Sequence, residues 1–374
     1  MHSNLLSCCR VCNSANVDVA ATRKKFPLYI WPLEHNEKTI FESIVLYVCN
    51  DCGHMQLQDM DQQFISEIYR DTAFNIENRA QNINRYEHLI RKDISAFDNS
   101  KILEIGGGRN SFLGVLPENT EKWVADFTVD ENILTIADGF FIGDFVETKI
   151  TQKEFDYVVM FHVLEHFNDP ASVVRKITGL LREGGRLVVE VPNFFIEGKK
   201  IPFYTLFHMH ISLFTEHSLV SLMNRFGFKC SEIYENNNVL LAEFTLMNRE
   251  VYINSVEQSR LAVNRLSTNI DFYRERLKSY FLRLNCDGNI AIFGAGGSST
   301  LFLYNFPFIM DLVRFSIDND ENKIGRFICD GKIEVAPLNK VTQLEIESVI
   351  ILDSAHKKYF NNAINIINVM EITS

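Results

Sequence analysis

Strand-like apolar runs alternate with helical patterns from residue 101 to about residue 245, and this alternation restricts the fold more than any other feature. The region opens with KILEIGGGRNSFLGVL, where a short apolar strand carries an acidic residue and three glycines lead into a helix-like run. Such alternation is typical of a parallel sheet covered by helices. We therefore predict an α/β fold for this region.

Changes of pattern along the 374 residues predict five segments, because a chain of this length exceeds one typical core. A cysteine-rich segment and a helical segment come first. The α/β core, a long helical linker and a second strand–glycine–helix region follow, and we expect this last region to form a Rossmann-like α/β domain. The predicted bounds are 1–60, 61–98, 99–245, 246–284 and 285–374.

Charge and hydropathy argue against two classes of partner. The formal net charge of −11 disfavours nucleic-acid binding through a basic face. No apolar run reaches the roughly 18 residues of a membrane span, and the start MHSNLLSCCR lacks the regions of a signal peptide. We therefore expect a cytoplasmic protein without a membrane partner. A small anionic ligand is compatible with the negative net charge, because helix N-termini bind phosphates. The oligomeric state is left open.

Five of the eight cysteines lie within the first 52 residues, in a chain without a recognisable secretion signal. CRVC and CNDC each bring two thiolates to one tetrahedral ion, and two such pairs complete a closed site. We predict structural zinc, Zn²⁺, bound by Cys9, Cys12, Cys49 and Cys52. Cys8 is a spare neighbour, His54 is a substitute ligand, and redox-active or unpaired cysteines are the alternative to zinc.

Acidic residues follow the first glycine loop at intervals that suit a nucleoside. KWVADF predicts a second strand ending at Asp126, about 20 residues on, where a carboxylate binds ribose hydroxyls. FIGDF places Asp144 where it would face an adenine amino group, and FDYVVMFHVLEHFNDP is a strand that enters a polar turn. A glycine-rich loop alone fits an NAD site equally well.

In order, EIGGG, HVLEHFNDP and LREGGRLVVEVPN resemble the motifs of class I S-adenosylmethionine-dependent methyltransferases. The resemblance covers residues 101 to about 245, and it implies a seven-stranded sheet with the methyl donor at the carboxyl ends of the strands. It implies donor binding by Glu104, Gly106, Gly108, Asp126, Asp144 and His162. For Glu165 and His166, helix capping and local packing compete with a direct catalytic role.

A second glycine loop, NIAIFGAGGSSTLFLYN, precedes a predicted strand that ends at Asp318. A loop that enters a helix offers free amides to a pyrophosphate, and the alternative is a Rossmann-like domain kept for stability. We predict substrate contacts by Gly294, Gly296, Gly297 and Asp318. Neither glycine loop is a clean G-x-G-x-x-G, which argues against a dehydrogenase.

With CRVC…CNDCGHMQL and DNDENKIGRF, nearly the whole chain resembles the deoxysugar C-methyltransferases, which act on nucleotide-linked keto sugars. The resemblance implies a nucleotide-activated sugar as substrate, in deoxysugar or surface-polysaccharide biosynthesis. It implies that the nucleotide sugar lies between the C-terminal domain and the core. The family landmark Tyr-His-Glu-His-x-Ser-Tyr-Phe-Ser corresponds to FHMHISLFT, and it implies that His210 is the general base. The alternative is that His208 and His210 are both structural.

This landmark departs from the family pattern at two positions, since Phe207 lacks the tyrosine hydroxyl and Met209 lacks the carboxylate. For a further family tyrosine, Tyr69 is the nearest candidate and Asp71 the alternative. His208 would share a face with His210 if the segment were extended, where it would bind substrate or only pack.

C-methylation requires a base and an enolate stabiliser, whereas O-methylation requires only a base and an aligned hydroxyl. Both reactions stay open on the sequence. So do methylation of another small molecule and a catalytically silent scaffold that binds the donor or a sugar nucleotide.

Overall fold

The computed structural model describes residues 6–28, 30–34, 37–61, 94–107, 111–128, 131–194, 206–236, 239–247, 256–284, 289–360 and 364–373. The chain divides into two compact units. The first unit comprises Met1–Ala21, Val45–Lys199 and His208–Ala262, and the second comprises Thr22–Ile44, Lys200–Phe207 and Val263–Ser374. Most of the predicted helical segment 61–98 lies outside the described residues, as do Tyr69, Asp71 and Gly108.

The strands up to the long helix are β1 (Val17–Pro27), β2 (Phe41–Cys49), β3 (Met55–Leu57), β4 (Lys101–Ile105), β5 (Glu121–Asp126), β6 (Gly139–Ile142), β7 (Phe155–Phe161), β8 (Leu181–Pro192), β9 (Ser212–Leu213), β10 (Phe228–Asn236) and β11 (Val239–Leu246). The helices there are α1 (Glu131–Ile136), α2 (Pro170–Thr178) and α3 (Glu216–Asn224). The long helix α4 (Val256–Leu284) falls within the predicted linker.

The later elements are β12 (Ile290–Phe293), α5 (Gly297–Asn305), α6 (Pro307–Met310), β13 (Val313–Asp318), β14 (Phe327–Ile328), β15 (Ile333–Pro337), β16 (Ser348–Ile351), β17 (Asn365–Asn368) and α7 (Val369–Thr373). In the part of the chain that the structure describes, every helix is too short or too polar to span a membrane.

The first unit is built on a seven-stranded sheet in the order β10-β11-β8-β7-β4-β5-β6. Strands β4 to β8 are parallel, and β11 is antiparallel to both β8 and β10. The predicted seven-stranded class I methyltransferase fold is confirmed. Because the parallel strands run the same way, their carboxyl ends meet at one edge, where open α/β sheets bind ligands.

The central strand β7 is apolar except for Asp156 near its start, because both of its faces are covered. Val158 and Met160 contribute to a core cluster on one side of the sheet, whereas Tyr157, Val159 and Phe161 contribute to a second cluster. This split follows from the alternation of side chains along a strand. The sheet is therefore buried on both faces, as the sequence pattern predicts.

A smaller sheet has the order β1-β2-β3-β9. Strand β3 pairs antiparallel with both β2 and β9, with Met55 opposite Leu213. The N–H of Leu57 also donates to the carbonyl of Ile211 at 2.8 Å. This pairing attaches the segment that carries His210 to the chain just after the second cysteine pair.

The second unit holds a six-stranded sheet in the order β14-β15-β13-β12-β16-β17. All neighbouring strands are parallel except β14, which is antiparallel to β15. The parallel neighbours β13 and β16 flank β12 on opposite sides, so the strand order reverses at β12. This is the predicted Rossmann-like domain, and its second glycine loop follows β12 at the switch point.

Candidate functional site

The four predicted zinc ligands lie around a common point in the first unit. The Sγ atoms of Cys9 and Cys52 are 3.6 Å apart, those of Cys12 and Cys49 are 3.5 Å apart, and all four lie within 4.8 Å of one another. Sulfurs bound at about 2.3 Å to one tetrahedral ion are separated by about 3.8 Å. The four thiols therefore fit a single zinc ion.

Both cysteine pairs close with the same turn. The N–H of Asn13 donates to the carbonyl of Cys9 at 2.8 Å, and the N–H of Gly53 donates to that of Cys49 at 3.0 Å. Asn13 and Gly53 have φ values of 61° and 80°. Asparagine and glycine tolerate this left-handed region better than other residues do, so the residue after each pair permits the turn.

His54 lies outside this group of four cysteines. Its ring is fully buried and packs against Phe214, with the ring centroids 5.3 Å apart. Burial lowers the pKa of His54 to about 3, so the ring is neutral at neutral pH. The structure thus gives His54 a packing position, and the spare thiol of Cys8 is partly exposed.

The first glycine loop packs against the turn that follows β7. Gly106 has a φ of +73°, and a Cβ atom there would lie 2.4 Å from Cγ2 of Val163. The buried carboxylate of Glu104 accepts hydrogen bonds from the Ser111 hydroxyl and from the N–H of Phe112 at 3.0 Å. Glu104 therefore ties the residues after the loop to β4, and its direct contact with the donor stays a prediction.

The two predicted nucleoside-binding carboxylates lie at the ends of β5 and β6. Asp126 ends β5, and its carbonyl accepts the N–H of Gly143 at 2.9 Å. Asp144 caps the following turn, since its Oδ1 accepts the N–H groups of Val146 and Glu147 at 2.8 and 3.1 Å. Both carboxylates lie at the same sheet edge as the glycine loop. Binding of ribose and adenine stays a prediction.

His162 follows β7 directly at this edge, with a φ of 56°. Its Nδ1 lies 3.4 Å from Oε1 of Glu165, and its Nε2 lies 3.1 Å from Oε1 of Glu190. Burial disfavours the charged imidazolium, but the two carboxylates outweigh burial and raise the pKa of His162 to about 9. His162 is thus a cation between two carboxylates at neutral pH.

Glu165 is the centre of a cluster of histidines. Its side chain is 1% exposed, and its Oε1 lies 3.9 Å from Nε2 of both His166 and His210. Neither carboxylate oxygen has a well-aligned hydrogen-bond donor among the described residues. Burial would raise the pKa of Glu165, but His166, His162 and His210 lower it to about 2. The carboxylate is therefore ionised.

His166 is oriented by the segment that contains the two landmark histidines. Its Nδ1 donates to the carbonyl of Met209 at 2.7 Å, which leaves Nε2 to face Glu165. The ring centroids of His166 and His210 are 5.2 Å apart. Burial lowers the pKa of His166 although Glu165 opposes this effect, so the ring is neutral at neutral pH.

The structure therefore places His210 beside a carboxylate that the sequence analysis did not pair with it. Met209 stands where the resembling family has a carboxylate, and its side chain is buried. The sequence feature that could have indicated this carboxylate is the acidic residue of HVLEH, Glu165. His208 is 2% exposed and lies in a turn with Met209, so the alternation expected for an extended segment does not hold there.

In the second unit, the predicted substrate residues form a connected loop. Gly294 has a φ of +93°, and the N–H of Ala295 donates to Oδ2 of Asp318 at 2.7 Å. Asp318 also pairs with the buried Lys323 at 3.2 Å. A Cβ atom on Gly296 would meet nothing within 4 Å. Asp318 thus stabilises the loop through this hydrogen bond, and substrate contact by the loop stays a prediction.

Comparisons with known proteins agree with the fold of the first unit. A family model described as a methyltransferase domain matches residues 77–233. C-methyltransferase NovU from Streptomyces niveus is 25% identical over 211 residues, which cover 53% of this chain and 49% of that protein. The chain therefore matches about half the length of this curated relative.

Two solved structures are also similar. The 1,6-didemethyltoxoflavin-N1-methyltransferase of Burkholderia thailandensis, with bound 1,6-didemethyltoxoflavin and S-adenosylhomocysteine, is 15% identical with a TM-score of 0.39. The match covers 52% of this chain and 96% of that one. N-methyltransferase NodS from Bradyrhizobium japonicum is 18% identical with a TM-score of 0.36, covering 46% and 99% of the two chains.

Proposed function

We propose that this chain, which contains a class I S-adenosylmethionine-dependent methyltransferase domain, methylates a carbon atom of a nucleotide-activated sugar. The observation that carries the proposal is the buried, ionised Glu165 beside His210 at the carboxyl edge of the sheet. The similarity to C-methyltransferase NovU supports methylation at carbon. The resemblance of the cysteine pairs and of DNDENKIGRF to deoxysugar enzymes supports the substrate class.

His210 is the general base in this proposal. It takes a proton from the carbon beside a ketone, and the resulting enolate carbon is the nucleophile. Glu165 does not touch the substrate, but it stabilises the imidazolium that forms on His210. At 3.9 Å, one pair of unit charges interacts by about 4 kcal/mol at an effective dielectric constant of about 20.

The donor site fits S-adenosylmethionine on features of this chain. The φ of +73° and the missing Cβ atom at Gly106 let the loop pack against Val163, Asp126 ends β5, and Asp144 follows β6. When bound, S-adenosylmethionine supplies an electrophilic methyl group. Asp126 would hold the ribose and Asp144 the adenine, so the glycine loop would direct the donor towards the edge that carries His162.

The four cysteines bind structural zinc in this proposal. Their sulfur separations suit one tetrahedral ion, and Cys9, Cys49 and Cys52 are buried in the same core cluster as residues of β7 and β8. A metal at this place would hold the cysteine-rich segment to the core, because a small segment buries too little apolar surface alone. Strand β3, which follows the second cysteine pair, pairs with β9, which lies just after His210.

Heavy-water exchange tests the reaction. Keto and hydroxy nucleotide sugars are incubated in heavy water with and without S-adenosylmethionine, and products are analysed by mass spectrometry. We expect deuterium to enter a keto sugar without donor and a methyl group to appear with donor. His210→Ala should abolish both signals, whereas His217→Ala, in α3 and outside the cluster, should keep both.

Two results would contradict the proposal. A methyl group gained by a hydroxy sugar, without exchange on any keto sugar, would show O-methylation. Donor binding without exchange or methyl transfer on any sugar would show another substrate class or a catalytically silent scaffold.

A further inference from the structure

The cluster around Glu165 presents three metal-ligating atoms to one point. A carboxylate oxygen of Glu165 and one ring nitrogen each of His166 and His210 lie within 4.8 Å of one another. Donors about 2.1 Å from one tetrahedral ion are about 3.4 Å apart. The observed 3.9 Å separations of Glu165 from Nε2 of His166 and of His210 therefore need only small side-chain rotations to reach that spacing.

The surroundings of His166 and Glu165 suit both side chains to bind a metal ion. His166 donates from Nδ1 to the Met209 carbonyl at 2.7 Å, the arrangement that orients Nε2 of a metal-binding histidine towards the ion. Glu165 is 1% exposed, and neither of its oxygens has a well-aligned donor within the described part of the chain. Buried carboxylates pair with cations; Nδ1 of His162 lies 3.4 Å from Oε1 of Glu165, and a metal ion would add a second partner.

The charge of the surroundings also favours a cation. Glu165 and Glu190 are two buried carboxylates, and His162 lies between them. Even when His162 carries its proton, one negative charge remains. A divalent ion bound there would neutralise that charge.

We propose that Glu165, His166 and His210 form a second metal site, separate from the four cysteines, for a divalent transition ion such as Co²⁺, Ni²⁺ or Zn²⁺. Two imidazoles and one carboxylate suit such ions, and three ligands leave positions open for water. The inference rests on the proposed function in one respect. An ion on His210 occupies the general base, so metal binding inhibits proton abstraction.

Cobalt titration tests the site without any substrate. Full-length protein with zinc bound by the four cysteines is titrated with Co²⁺, and bound metal and visible absorption are measured. We expect one additional equivalent of cobalt without a sulfur-to-cobalt charge-transfer band. Glu165→Gln, His166→Gln and His210→Gln should each weaken this binding by more than about tenfold, whereas His217→Gln should leave it unchanged.

The two proposals fail in different ways. No additional equivalent, or equal binding by all three variants and the parent, overturns the metal site whatever the exchange assay shows. An additional equivalent that leaves deuterium exchange of the parent unchanged overturns the inhibition. Absence of exchange in metal-free buffer and in cobalt alike contradicts the proposed function, while cobalt stoichiometry still decides the metal site. Circular dichroism of each variant controls for misfolding.

Discussion

Replacement of Glu165 by glutamine tests the role of the buried carboxylate most directly. The substitution keeps the shape of the side chain and removes its charge. The charge lies 3.9 Å from Nε2 of His210 and is worth about 4 kcal/mol to an imidazolium there, at an effective dielectric constant of about 20. Since about 1.4 kcal/mol changes a rate tenfold, we expect proton abstraction to slow by about 100- to 1000-fold.

The assay is the rate of deuterium entry into the keto sugar, with kcat and KM for methyl transfer measured in parallel. Glu165 acts on the base and does not touch the substrate, so kcat should fall while KM changes little. Glu165→Asp keeps the charge and should recover part of the rate. The nuclear magnetic resonance titration of His162 gives an independent readout, because its pKa of about 9 should fall when one of its two carboxylates is removed.

A fall in exchange rate below about threefold would refute this reasoning, because ordinary surface substitutions cause changes of that size. Equal losses in Glu165→Gln and Glu165→Asp would also refute it, since geometry rather than charge would then be responsible. Near-ultraviolet circular dichroism of both variants checks that the core around β7 remains packed.

Three further predictions concern the metal centre, the donor loop and the core. Cys52→Ala should lose its zinc almost completely and lower the thermal midpoint, whereas Cys230→Ala, outside the cluster, should retain one zinc by elemental analysis; retained zinc in Cys52→Ala would contradict the site. Gly106→Ala places a side chain at a φ of +73° and against Val163, so we expect the free energy of unfolding to fall by about 1–3 kcal/mol. Binding of S-adenosylhomocysteine, measured by calorimetry, should also weaken, and Gly114→Ala is the control. Burial lowers the pKa of His54 from 6.5 to about 3, so below pH 6.5 the unfolded chain binds a proton that the folded chain does not. The free energy of unfolding should therefore fall as the pH falls, by about 2 kcal/mol at pH 5. Urea unfolding of His54→Leu should show a smaller fall, and an equal fall would refute the assignment.

Local patterns in the sequence were sufficient for the fold and for the cysteine cluster. The alternation of apolar runs and helical patterns predicts a parallel α/β sheet, because each strand must bury its faces under helices, and the resemblance to class I methyltransferases implies its seven strands. Two pairs of cysteines predict one tetrahedral group, since each pair needs only a short turn to bring its sulfurs together. Gly106 and Gly294 have the left-handed φ values that their glycine loops suggest.

The relations between distant residues were decided by the tertiary structure. Glu165 and His210 belong to separate sequence motifs, and tertiary contacts such as the His166–Met209 hydrogen bond and the pairing of β9 with β3 bring them together. The sequence therefore showed a lost carboxylate at Met209, whereas the structure supplies another from β7's following turn. The hydrogen bond from the N–H of Ala295 to Asp318 is likewise a tertiary contact, and substrate contact by Asp318 stays a prediction.

Sequence determined what depends on backbone conformation and on ligand chemistry within a few residues: the strands, the glycine turns and the cysteine pairs. Tertiary structure alone decided which buried charges meet, because burial and pairing of ionised groups depend on every element packed around them. The arrangement of His162, Glu165, His166 and His210 is of this second kind, and the proposed chemistry of the protein rests on it.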